Sequence, residues 1–144
     1  MENLGNLFKA HVDSGRIAAI DLLDADKPKE ATYADLDASS DAVARALVAR
    51  GLGRGDRIAI LAQNRLEFIE VLFGALRSGC VPVPVNIKLP ADTVEFILRD
   101  AGVKHMFYDR SWEARVCEEL PGTDFDEDYR AFVDPGAFAA VQVA

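Results

Sequence analysis

The stretch "GLGRGDRIAI", Gly51 to Ile60, decides how the rest of the chain is read. Glycines at alternate positions, two arginines and an aspartate run straight into an apolar segment. Gly-rich turns hold nucleotide phosphates where a strand precedes the glycines and a helix follows, so that a helix N-terminus faces the anion. Here the order is reversed. A helix-patterned segment ends at Gly51 and a strand-patterned one begins near Arg57. A phosphate would meet helix C-terminal carbonyls, the wrong end of the dipole, and no Gly-Lys-Ser/Thr follows. The turn therefore reads as a connector. Gly51 takes the left-handed conformation that ends a helix, Gly53 and Gly55 allow a tight turn, and Asp56 bonds nearby backbone N–H groups.

Upstream, "TYADLDASSDAVARALVARG" opens with Thr32 and Asp35 in the capping-box arrangement. Leu36, Val43 and Leu47 then form one apolar stripe, with alanines beside it that allow close packing. Before that helix, Leu4, Leu7 and Phe8 fall at helical spacing, "IAAIDLLD" reads as a short strand, and "ADKPKE" as a polar turn. Downstream, "RIAILA" is a continuous apolar run, suited to a parallel strand covered on both faces. Asn64 is placed to cap the next helix, whose buried face is predicted at Leu66, Ile69, Leu72, Phe73 and Leu76, with Gly79 as its stop. "CVPVPVN" is extended, and its prolines restrict it to an edge or a strand end. "ADTVEFILRDAG" is a third helix, with Val94, Ile97 and Leu98 inward and Gly102 after it. "VKHMFYD" is a third strand, and "SWEARVCEEL" a short helix capped by Ser111. Strand and helix alternating at this spacing predict an α/β fold, a three-layer βαβ series with a mainly parallel sheet and helices on both faces. From Pro121 to Ala144 the pattern fades, and this segment is expected to be a weakly structured connection.

Composition narrows the function. At 144 residues the chain suits one modest domain. It is 50% hydrophobic, and no apolar run approaches the ~18 residues of a membrane span. The N-terminus lacks the basic and apolar regions of a secretory signal, so a cytoplasmic location is expected. The net charge of −8 argues against a nucleic-acid surface. Cys80 and Cys117 lie far apart and read as free thiols. His11 sits on a polar turn, His105 inside an apolar strand, and Trp112 on a packing face. None of these makes a catalytic or metal-ligating set, and composition and spacing stop at an α/β domain without a visible catalytic centre.

The words of the sequence carry more. Thr32, Tyr33 and Leu36; then Gly51, Gly55, Asp56 and Ile58; then Asn64, Glu67 and Phe68; then Leu76, Arg77, Gly79, Pro84 and Asn86 stand in fixed order and spacing. From Thr32 to Asp109 the chain resembles the N-terminal region of AMP-forming acyl-CoA synthetases. These belong to the adenylate-forming superfamily, with firefly luciferase and peptide-synthetase adenylation domains. The resemblance implies the N-terminal part of the large domain of that fold. It also implies a two-step reaction, in which a carboxylic acid attacks the α-phosphate of Mg·ATP to give an acyl-adenylate and pyrophosphate. A thiol, usually that of coenzyme A, then displaces AMP and leaves a thioester.

The chain also departs from the family. Its Ser/Thr/Gly-rich phosphate loop, its later Tyr-Gly-x-Thr-Glu motif, its ribose-binding aspartate and the lysine of its small C-terminal domain are not in the sequence. Residues 1–144 are therefore expected to be an incomplete N-terminal subdomain that is inactive alone. ATP, Mg and CoA would belong to the full-length enzyme, with none bound to this piece. The resemblance singles out Lys88, in "PVNIKL", as a contact to the phosphates of coenzyme A, a role that suits a flexible ammonium. The plainer reading of that residue by itself is a solvated loop lysine. Two alternatives stay open: within the superfamily, a piece of an adenylation domain serving a carrier protein or of a luciferase-like oxidase, and outside it, a non-catalytic α/β interaction module. A sheet cut from a larger domain would expose strand edges and apolar faces, so a homodimer is expected.

Overall fold

The computed structural model describes residues 2–115 and 119–137, and its longest helix, α1 (Tyr33–Ala49), starts where the capping pair predicts. The Asp35 N–H donates to Thr32 Oγ1 at 3.1 Å, and the Thr32 N–H donates to Asp35 Oδ2 at 2.9 Å. The Thr32 N–H, with the Thr32 hydroxyl donating to the same Asp35 Oδ2 at 2.8 Å, lowers the pKa of the Asp35 carboxyl. At the other end Gly51 has φ 78°. Its N–H reaches the Val48 carbonyl at 2.9 Å, and the Leu52 N–H reaches the Leu47 carbonyl at 3.0 Å. That pair of bonds is a Schellman motif, and Leu52 folds back onto the core beside Leu47. Asp56 closes the turn, accepting the Gly53 N–H at 3.0 Å. The glycines of the opening stretch form the predicted connector.

Strand β3 (Arg57–Leu61) follows, buried at all but its first residue. Helix α2 (Leu66–Ser78), strand β4 (Val81–Pro84), helix α3 (Ala91–Asp100) and strand β5 (Val103–Tyr108) complete the βαβ series. Strand β6 (Gly122–Asp124) adds a fourth parallel strand, and the order across the sheet is β4-β3-β5-β6. Helices α1, α2 and α4 (Tyr129–Val133) cover one face, where Val43, Leu47, Val71, Ala75 and Phe132 pack on Ile58, Ile60 and Phe107. Helix α3 covers the other, with Val94 and Leu98 on Ala59, Leu61 and Met106. The three-layer arrangement with a parallel sheet is as the alternation predicts.

Several local expectations give way to tertiary packing. The first eleven or so residues form two 3₁₀ turns, Leu4–Asn6 and Lys9–Ser14, in which Phe8 is buried while Leu4 and Leu7 are exposed. Strand β1 (Ile17–Asp21) is antiparallel to β2 (Lys29–Thr32), so the end of the expected polar turn is a strand. Its Lys29 and Glu30 are exposed, and only Ala31 is buried, which leaves no alternation to read. On α2 the fully buried side is Val71, Gly74, Ala75 and Arg77, while the predicted leucines and Phe73 are half-buried. The reason is the close approach of α1: a Cβ on Gly74 would lie 2.5 Å from Val43 Cβ. Small residues face the neighbouring helix, and the large ones ride at its margins.

The helix expected to start at Ser111 is a 3₁₀ stretch, Arg110–Arg115, entered through a Trp112 N–H bond to the Asp109 carbonyl at 2.8 Å. Cys117 lies outside the described residues. The segment after Pro121, expected to be weakly structured, carries β6, α4 and a 3₁₀ turn at Pro135–Ala137. Short elements of three and five residues show no periodicity, and they are held instead by burial of Phe125, Tyr129 and Phe132. Residues 138–144 lie outside the description.

Candidate functional site

Open α/β sheets bind ligands beyond the carboxyl ends of their strands, at the point where the chain's winding reverses. Here the chain leaves β3 outward to β4 through α2, then crosses back through α3 to β5 on the far side. The reversal therefore lies between β3 and β5. Their carboxyl ends carry Gln63 and Asp109, and an arginine fills the crevice. Arg65 Nη1 lies 2.6 Å from Asp109 Oδ1 and 3.0 Å from Asp126 Oδ1, and its Nε is 2.9 Å from Glu67 Oε2. Asp109 Oδ2 accepts the Gln63 N–H at 2.7 Å. Burial works against the guanidinium, but the hydrogen bonds to Glu67, Asp109 and Asp126 outweigh it, and the Arg65 pKa is raised. Burial likewise opposes ionisation of Asp126, and the Arg110 N–H and Arg65 more than offset it, lowering its pKa. The protein's own charges occupy this crevice.

The open space is one strand over. A cleft of about 730 Å³ lies between the β1–β2 hairpin and the ends of β3 and β4. Ile20, Leu22, Ile69 and Val85 supply apolar wall, and Gln63, Asn64 and Asn86 supply amides. Asp21 forms its hinge with the hairpin. This buried carboxylate accepts the Leu23 N–H at 2.7 Å and the Leu66 N–H at 3.0 Å. Helix α2 is thus capped from the hairpin. The expected cap at Asn64 is not made: the N-cap is Arg65, which has no side-chain cap bond. A carboxylate at the positive end of the helix dipole is favourable electrostatically, and no local pattern announces it.

Lys88 is exposed in the loop that follows β4. Its backbone N–H donates to Asn86 Oδ1 at 2.9 Å, and the Leu89 N–H donates to the Asn86 carbonyl at 3.2 Å. Asn86 therefore shapes the loop, as its motif position suggests, while its neighbour Ile87 lines the cleft. Of the predicted site, Lys88 follows the cleft-lining Ile87 in the chain, and the structure leaves it exposed to solvent. Sequence reading missed Arg65, Asp109 and Asp21. The arginine in "AQNRLEF" carries no local sign of burial, since its partners beyond Glu67 are 44 and 61 residues away.

Other titratable groups are structural. Cys80 is buried, its Sγ 3.3 Å from the Gly53 carbonyl oxygen, and burial raises its pKa. The Tyr129 hydroxyl donates to Glu70 Oε2 at 2.7 Å, fixing α4 to α2, and burial raises both pKa values. His105 Nε2 is 2.8 Å from Thr123 Oγ1, with the rings of Phe107 and Phe132 packed against it. Burial first, and the Arg50 charge second, push its pKa down to about 4. A depressed base pKa costs stability only as pH falls from the unfolded value near 6.5 through about 4. Urea unfolding of the wild type should therefore lose up to ~3 kcal/mol more between pH 7 and pH 4 than a His105→Asn variant does. Parallel pH profiles would refute this.

Among the described residues no group of three or more His, Cys, Asp or Glu could hold a metal ion, and no helix is long and apolar enough to cross a membrane. The glycine connector lies at the amino end of β3, away from the ligand edge. The described residues therefore form no cradle that fits Mg·ATP.

Comparison with known proteins supplies what the geometry leaves open. A long-chain-fatty-acid–CoA ligase of Mycobacterium tuberculosis is 43% identical over 77 residues, 54% of this chain and 15% of that protein. A fatty acid–acyl-carrier-protein ligase of Streptomyces coeruleorubidus is 41% identical over 90 residues, 62% of this chain and 17% of that protein. The chain thus spans less than a fifth of either relative. O-succinylbenzoate coenzyme A synthetase from Bacillus subtilis, solved with ATP and magnesium, superposes with a TM-score of 0.79 at 26% identity. That match covers 99% of this chain and 36% of that one. The sequence matches the AMP-binding enzyme family over residues 8–136, an extent that takes in both faces of the sheet and every element from Phe8 to the final 3₁₀ turn. The chain belongs to the AMP-binding enzyme family.

Proposed function

We propose that this chain is the N-terminal scaffold of a longer, ATP-dependent, AMP-forming ligase that converts a carboxylic acid to a thioester. The observation that carries the reading is the family match over residues 8–136, joined to relatives that ligate fatty acids to coenzyme A or to a carrier protein. ATP, Mg and CoA belong to the whole enzyme. This chain contributes a rigid sheet and the cleft beside Lys88, and no step of the reaction is assigned to its residues. The ammonium of Lys88 suits a phosphate of coenzyme A as a mobile point charge. A carrier protein as acceptor is the second reading, favoured by the acyl-carrier-protein ligase among the relatives.

The test uses the enzyme encoded by the whole reading frame. That frame should encode a Ser/Thr/Gly-rich phosphate loop beyond position 144, and its product should exchange pyrophosphate into ATP in the presence of a carboxylic acid. Exchange by residues 1–144 alone would sink the scaffold reading. Lys88→Ala should raise KM for CoA ~10-fold, the worth of one charge-assisted hydrogen bond, and leave the exchange step unchanged. An unchanged KM would remove Lys88 from the site. A homodimer, through exposed Ile17, Ile20, Leu22 and Leu23 of the hairpin region, belongs to the same proposal.

A further inference from the structure

Strand β4 forms one rim of the sheet, and its backbone polarity is lopsided. In a strand, successive residues point their N–H and C=O groups to opposite sides. The Val81 N–H bonds the Asp56 carbonyl at 2.7 Å, and the Val85 N–H bonds the Ile60 carbonyl at 2.9 Å. Odd-numbered residues 81, 83 and 85 therefore face β3. Residues 82 and 84 face outward, and both are proline. Neither carries an N–H. The outer rim thus shows the carbonyls of Pro82 and Pro84 and no donor over the whole strand. Along this strand Pro84 is exposed and Pro82 half-buried.

A strand added to a parallel or antiparallel edge needs donors and acceptors in turn. This rim can only accept. The prolines stand at the two positions where they cost the native ladder nothing and cost an incoming strand every bond it would accept. Placing prolines on the neighbouring odd positions would break the bonds to β3 instead. The opposite rim differs. Met106 and Phe125 bond across the β5–β6 pair to Pro121 and Tyr108, which leaves Gly122, with its N–H intact, pointing away from β5.

We infer that the β4 rim is closed to strand addition, by a second copy of this chain or by any other extended segment, and that Pro82 and Pro84 close it. A surface that does cover this rim must bring donors only, such as arginine, lysine or amide side chains. Any homodimer of this chain therefore does not form by joining sheets at β4.

The experiment restores the donors. Pro82→Val/Pro84→Val keeps the β-branched character of the strand and gives it two outward N–H groups. Circular dichroism and thermal melting establish that it folds, and sedimentation velocity with thioflavin T binding reads association. The double variant should associate at least 10-fold more tightly than wild type, or bind thioflavin T where wild type does not. Pro82→Thr/Pro84→Thr supplies the same donors with a more polar surface and should show the same gain. Val81→Thr/Val83→Thr, which retains both prolines, should show none. If folded Pro→Val and Pro→Thr variants keep the wild-type association state, or if Val→Thr matches their gain, the inference is overturned. Should both proline variants fail to fold, Pro84→Val alone must still raise association above wild type, and a folded single variant that does not would equally overturn it.

Discussion

Arg65→Met should lower the unfolding free energy by ~3–5 kcal/mol, the range found when one partner of a buried ion pair is removed. The loss falls on Asp109. Its side chain is 6% exposed, and without Arg65 it keeps, among the described residues, only the Gln63 N–H as a side-chain partner. Glu67 and Asp126 are 20% and 43% exposed and can rehydrate, so they add little. Urea denaturation at pH 7 measures the loss. An Arg65→Met/Asp109→Asn double variant, which retains an acceptor for the Gln63 N–H but no buried charge, should recover more than half of it. A single-variant cost below ~1 kcal/mol would show the pair to be solvated in solution. Because the network joins the loops after β3 and β5 to residue 126, hydrogen exchange should rise first around residues 119–137.

The second large effect is expected at the opposite end of the same helix. The Arg77 side chain is 2% exposed and donates to four acceptors. Nε reaches the Gly5 carbonyl at 2.8 Å, Nη1 the Asp37 carbonyl and Asp41 Oδ1 at 2.8 Å each, and Nη2 reaches Asp37 Oδ1 at 2.6 Å. Its guanidinium also lies 5.2 Å from the Phe8 ring centroid. Arg77→Met leaves two backbone carbonyls and two carboxylates short of a donor, for an expected loss of ~3 kcal/mol or more. Arg77→Lys should recover less than half, because one ammonium cannot span acceptors set for a planar fork. The readout that separates this from general weakening is exchange protection in residues 2–15, which should vanish in the variant. Retained protection there would refute the assignment. Arg65 and Arg77 share no partner, and the two losses should add.

These arginines mark where sequence reading ends. The βαβ layering was legible because its signals are local: a capping box at Thr32 and Asp35, a left-handed stop at Gly51, and a five-residue apolar run after Arg57. Gly79 and Gly102 likewise take positive φ where their helices stop. What escaped is set by distant partners. Asp21 caps a helix 45 residues on, and nothing near Asn64 shows that the position is already taken. Arg77 stood out only as part of a family pattern, whose physical content is the staple between the N-terminal turns, α1 and α2. The hairpin strand β2 escaped because a strand buried at one residue has no period. Of the candidate site, the Asn86 loop was legible from its motif. The cleft was not, since it exists only after the hairpin folds back over β3 and β4.

The order in which the chain is made gives the Asp21 cap and the Arg65 crevice opposite fortunes. Asp21 leaves the ribosome well before the Leu66 amide it will cap, so helix α2 finds its carboxylate waiting. Arg65 emerges 44 residues ahead of Asp109 and 61 ahead of Asp126. A side chain that ends almost sealed from water must spend that interval in it, with Glu67 as its one early partner. At one carboxyl edge of the sheet, the Asp21 cap on α2 can therefore close early in synthesis, while the adjacent Arg65 network stays unlatched until the chain has grown past residue 126.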